Sequence, residues 1–148
     1  MTIKHRVAAC AAFACLTFTS AAVSADERPY TEGPVVNVSG IRTEYGRFDD
    51  YMKFLDTTWK QEQEAGKKAG LIVKYEVLTV EARGADDPDV YLVVTYKNWA
   101  ALDGLAAKSI AIANQVYGSV SVANKSATDR AKMRRTVGSA TMQVLELK

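Results

Sequence analysis

The sequence predicts a single α+β domain, one antiparallel sheet with its helices on one face. Three observations carry that prediction. The apolar period switches between two and about 3.6 along the chain, the elements follow the order β-α-β-β-α-(α)-β, and a hairpin sits at the centre.

The N-terminal part of the 148-residue chain stands outside that pattern. Residues 1–25 carry Lys4, His5 and Arg6, an apolar run from Val7 to Val23, and the small-residue ending Val23-Ser24-Ala25. This is the layout of a secretory signal cleaved after Ala25. The run is short and rich in Ala, Thr and Ser, which argues against a membrane anchor. The expected location is the periplasm or the exterior, with no membrane attachment after cleavage. Residues 26–34 (DERPYTEGP) hold two prolines and a glycine and read as a flexible lead-in to one domain, 35–148.

Each element then has its own signature. Val35 to Thr43 alternates and is rich in β-branched residues, so it reads as a strand. Phe48, Met52, Leu55 and Trp59 recur at steps of four, three and four, with Asp49, Lys53, Asp56, Lys60 and Glu64 opposite. That is an amphipathic helix from about Arg47 to Lys68, closed by Gly70. Leu71–Ala82 and Asp89–Lys97 form a hairpin around the turn residues Arg83–Pro88. Asn98 is a suitable N-cap for a helix carrying Leu102, Leu105, Ile112 and Val116. An extra polar helix is expected near 120–136, broken by Gly138, before a last strand from Ala140 to Lys148. The order is that of a ferredoxin-like βαββαβ fold.

The strands sort into two faces. Val36, Val38, Leu71, Val73, Tyr75, Val77, Val90, Leu92, Val94, Tyr96, Met142 and Val144 make the more apolar set, expected beneath the helices. The alternate set includes Asn37, Ser39, Ile41, Lys74, Glu76, Leu78, Tyr91, Val93, Thr95 and Gln143. It is too apolar to be left bare, and its economical cover is a second copy, sheet against sheet. Lys74 and Glu76 could pair within the chain or across the two-fold axis.

Composition excludes much chemistry. Without Lys4 and Arg6, 17 basic residues face 17 acidic ones, so the mature chain is formally neutral. Neutrality gives no reason to expect nucleic acid or an anionic membrane as partner. Cys10, Cys15 and His5 all lie in the leader. The remainder has no means of forming a disulfide, a thiol nucleophile, a Ser-His triad or a Cys/His metal site, so no metal is expected. Asp86, Asp87 and Asp89 lack the spacing and closing Glu of a calcium loop.

The element order, the string Tyr45-Gly46-Arg47-Phe48-Asp49-Asp50-Tyr51 and the string Tyr96-Lys97-Asn98-Trp99 resemble the dimeric α+β barrel superfamily. That superfamily contains antibiotic-biosynthesis-type monooxygenases and EthD-like and NIPSNAP-like proteins. The resemblance implies a homodimeric barrel and a pocket between sheet and helices. Haem, carried by some such barrels through histidine, is not implied for a chain without one, and no cofactor is expected. The resemblance makes Trp59, Tyr75, Tyr96, Asn98 and Trp99 the candidate ligand-binding residues. Each also has an ordinary explanation: core packing for Trp59, strand preference for the tyrosines, capping for Asn98, and edge cover for Trp99. Glu76 is the one candidate general base, and its neighbour Lys74 argues for a plain ion pair. Two functions follow. The first is an exported protein that holds a small apolar or aromatic molecule. The alternative is a cofactor-independent monooxygenase-like or isomerase-like enzyme acting on one. The absence of an acid–base constellation favours the first.

Overall fold

A computed structural model of the chain describes residues 28–82 and 84–148. The predicted leader and its cleavage point lie outside them. The elements are β1 (Tyr30–Thr43), α1 (Phe48–Phe54), a π-helical turn (Leu55–Trp59), α2 (Lys60–Lys68), β2 (Lys74–Thr79), β3 (Val90–Tyr96), a 3-10 turn (Trp99–Leu102), α3 (Leu105–Tyr117), α4 (Val120–Ala131) and β4 (Arg134–Leu147). The four strands form one antiparallel sheet in the order β2-β3-β1-β4, the ferredoxin-like arrangement.

Local chemistry explains the boundaries. Asp49 and Asp50 occupy the first turn of α1, where negative charge complements the helix dipole, and Arg47 pairs with Asp50 at 2.9 Å. Lys67 and Lys68 close α2, and Gly70 supplies the left-handed φ of 71° that ends it. Asn98 accepts from Ala101 N–H at 3.1 Å, so it caps the 3-10 turn, while α3 itself starts after Gly104. Ser119 does the same for α4 through Val122 N–H.

The core lies where α1 and the π turn cross the sheet. Tyr51, Leu55 and Trp59 pack on Ile41 and Val90, with Tyr75, Leu92 and Val94 beside them. These contacts identify the helix-side face, and the register then assigns every other position, since directly paired residues point the same way. Tyr75, Val94, Asn37 and Thr141 make one row across this face; Val77, Leu92, Ser39 and Ser139 make the next. Between the buried Val35 and Ile41, the helix side is therefore apolar over β2 and β3 and polar over β1 and β4.

This corrects the face assignment of β1 and β4. Val36, Val38 and Met142 point to the open side, whereas Asn37, Ser39, Ile41 and Gln143 point to the helices. The open face has the rows Lys74–Thr95–Val36–Met142, Glu76–Val93–Val38–Ala140 and Leu78–Tyr91–Gly40–Gly138. Alternation alone could not choose between the faces, because the apolar set of β1 and β4 lies opposite the apolar set of β2 and β3.

Boundaries also differ from expectation: β2 covers only Lys74–Thr79 of the expected Leu71–Ala82, and α4 ends at Ala131 rather than near 136. β1 begins at Tyr30 rather than Val35, because Tyr30, Thr31 and Glu32 pair with Leu147, Glu146 and Leu145 across a bulge at Gly33-Pro34. A Cβ at Gly33 would stand 3.0 Å from the Val144 carbonyl oxygen, so the bulge needs a glycine there. β4 begins at Arg134, and Gly138 lies inside it opposite Gly40 instead of breaking a helix. The second helix opens with a 3-10 turn before α3.

Gly66 is buried in α2, and a Cβ there would meet Ile72 Cδ1 at 3.5 Å, an ordinary contact. Gly66→Ala is expected to stabilise the fold by about 0.5–1 kcal/mol through helix propensity. A urea unfolding midpoint that falls instead would show that this helix–helix contact cannot accept a methyl group.

Candidate functional site

The π turn shapes the main cleft. Lys60 N–H donates to the Leu55 carbonyl five residues back, and the Thr57 hydroxyl takes the Lys53 carbonyl at 2.7 Å. Leu55 and Trp59 both point into the core. Trp59 then meets Tyr75 of β2 edge to face, with ring centroids 5.3 Å apart at 90°. With Met52, Leu55 and Val77 they line an open cleft of about 400 Å³. π-helical turns are rare and occur often at functional sites.

Polar groups at the rim hold Tyr75. Its hydroxyl donates to Glu64 Oε1 at 2.7 Å, and Lys67 Nζ lies 3.5 Å from the same carboxylate and 5.6 Å from the Tyr75 ring centre. The hydrogen bond from Tyr75 holds the Glu64 carboxyl below its ordinary range. The same bond, with burial and the carboxylate charge, pushes the Tyr75 phenol up. Across the cleft mouth, Asp56 pairs with Lys60 at 3.0 Å. Both carboxylates near the cleft are thus engaged.

The other candidates are dispersed. Tyr96 lines a second cleft of about 320 Å³ between α2, α3 and β3, with Ile72, Val94, Leu105 and Ile112, and burial raises its phenol pKa. Tyr75 and Val94 are register partners, so the two clefts are neighbours on one face. Asn98 spends its side-chain oxygen on the cap. Trp99 is 48% exposed, and its indole N–H donates to Gln143 Oε1 at 3.0 Å. Glu76 lies on the opposite face of the sheet, paired with Lys74 at 3.0 Å and exposed. The structure therefore joins Trp59 to Tyr75 and places Tyr96 next door, while Asn98, Trp99 and Glu76 take no part in that cleft. Sequence reasoning missed Glu64, which looked like part of a solvated helix face, and Gln143, which looked like part of the open sheet face.

Among the described residues, no group of three or more His, Cys, Asp or Glu could hold a metal ion. No helix among them is long and apolar enough to cross a membrane.

No protein-family model and no curated protein matches the chain. Solved structures do. HapK from Hahella chejuensis is 13% identical over 73% of this chain and 90% of its own, with a TM-score of 0.47. Protein SO0527 from Shewanella oneidensis is 14% identical over 79% and 96%, with a TM-score of 0.49. A dimeric ferredoxin-like protein from an uncultured marine organism is 14% identical over 78% and 97%, with a TM-score of 0.40. By its own strand order and register, this chain is a ferredoxin-like α+β domain.

Proposed function

We propose that this protein is exported, pairs sheet to sheet as a homodimer, and holds a small apolar or aromatic molecule between sheet and helices. The Trp59–Tyr75 cleft is its site. The observation that carries the reading is the π turn, which walls an apolar cleft where Trp59 meets a Tyr75 held by Glu64 and Lys67. Ligand clefts are commonly apolar with a few fixed polar groups. Binding without turnover is preferred over catalysis. A cofactor-independent reaction needs a proton acceptor facing the cleft, and Asp56 and Glu64 are both engaged by neighbours.

The dimer rests on the open face. Val36, Val38, Val93, Leu78, Tyr91 and Met142 form a continuous apolar field there. Leu78 and Met142 are half-exposed. Such a field needs cover, and a second copy of the same field is self-complementary.

The test is a titration of the protein from Asp26 onward with 2-naphthol, followed by tryptophan fluorescence and NMR shifts. Saturable binding at the Trp59 indole is expected. Tyr75→Ala should weaken it roughly three- to tenfold, the worth of one aromatic contact. Val77→Phe, which fills the cleft from its exposed side, should abolish it. Binding that is indifferent to both variants would remove the cleft from consideration.

A further inference from the structure

The polar half of the helix-side face has a chemistry of its own. Asn37 Nδ2 donates to Thr141 Oγ1 at 2.9 Å, and the Ser39 and Ser139 hydroxyls lie 3.4 Å apart. One step further along β4, Gln143 accepts from the Trp99 indole through Oε1 and donates to the Gly33 carbonyl through Nε2 at 3.4 Å. Gln143, Thr141 and Ser139 share one face and so span about 13 Å of strand. Thr141, Ser139 and Trp99 are exposed, and α3 buries none of its residues.

From this arrangement we infer a second ligand site, for a neutral polyhydroxylated molecule such as a sugar. Its elements are the Trp99 indole and the strip Gln143, Thr141, Asn37, Ser139 and Ser39. The argument has three parts. Every side chain in the strip is a hydroxyl or an amide, which can both give and accept hydrogen bonds, matching the mixed demand of sugar hydroxyls. The register places no charged residue among them, so nothing favours an ion. The indole beside them is half-exposed and anchored at its N–H, leaving its apolar ring surface for the C–H face of a sugar. Core packing does not account for Thr141 and Ser139, which are exposed, while Asn37, Ser39 and Gln143 beside them are half-buried.

The site is separate from the Trp59–Tyr75 cleft. Tyr75 and Thr141 occupy opposite ends of one row, with β3 and β1 between them.

Saturation-transfer NMR with maltose tests the inference, with maltobionate as the charged control. Transfer from the protein to maltose, and much less to maltobionate, is expected. Thr141→Val keeps the shape at an exposed position and removes one hydroxyl, and should weaken binding roughly three- to tenfold. Trp99→Ala should abolish the transfer while the circular dichroism spectrum stays unchanged. An excess of 2-naphthol should leave it intact. No transfer to maltose in the wild type would overturn the site, as would transfer equal in both variants or displaced by 2-naphthol.

Discussion

Val38→Asp is expected to split the proposed sheet-to-sheet dimer into monomers without unfolding the chain. Val38 stands in the middle row of the open face, between Val93 and Ala140. In a lone chain this side chain is only half-buried, so a carboxylate there can reach water. Between two apposed sheets it cannot, and each two-fold interface would hold two such charges. An unpaired buried charge costs about 3–5 kcal/mol, so even one of the two would raise the dissociation constant by about two to four orders of magnitude. Gly138→Leu offers an independent route to the same result. A Cβ at Gly138 meets nothing within 4 Å, so the single chain tolerates growth there, whereas a partner sheet would not. Light scattering coupled to size exclusion reads both variants. Two dimers of wild-type stability would show that the open face is not the interface.

The parts of this architecture carried by one-dimensional periodicity were legible in the sequence. Phe48, Met52, Leu55 and Trp59 declared the first helix, and the hairpin around Arg83–Pro88 declared its turn. What was not legible depended on pairing. Period two tells which residues of a strand share a face but not which face receives the helices. In β1 the buried anchors are Val35 and Ile41, and polar Asn37 and Ser39 lie between them on the same side. Val36 and Val38 therefore looked like core when they belong to the open sheet. Gly33-Pro34 looked like loop because a bulge, which tolerates a residue without an N–H, leaves no mark distinct from a turn. The π turn was equally silent: Leu55 and Trp59 at a spacing of four read as ordinary α-helix.

Tyr51→Ala is expected to destabilise the fold by about 3–5 kcal/mol, as for other large aromatic deletions, whereas Tyr51→Phe should cost nothing. Tyr51 is fully buried at the centre of the core, stacked on Phe54 with centroids 6.1 Å apart. A loss of that size is a large part of the total stability of a domain, about 5–15 kcal/mol. The phenol oxygen, by contrast, makes no well-formed hydrogen bond: only the Arg134 side chain lies beside it, too poorly aligned to satisfy it, and the buried Arg134 Nε has no partner of its own. Removing an unsatisfied hydroxyl removes a desolvation cost rather than a bond, so the phenylalanine variant should equal or exceed the wild type. The two variants also separate at alkaline pH. Burial raises the Tyr51 pKa, and the charges of Arg134 and Arg130, with the weak Arg134 hydrogen bond, only partly oppose it. Above the ordinary tyrosine pKa of about 10, the unfolded chain releases this proton and the folded chain keeps it. The unfolded state then binds fewer protons, so stability falls as pH rises towards the elevated folded value. Phenylalanine at position 51 lacks that slope. Urea unfolding at neutral pH and again above pH 10 should show the gap between Tyr51→Phe and wild type widening in favour of the variant. An unchanged gap would mean that the phenol ionises as readily inside the fold as outside it.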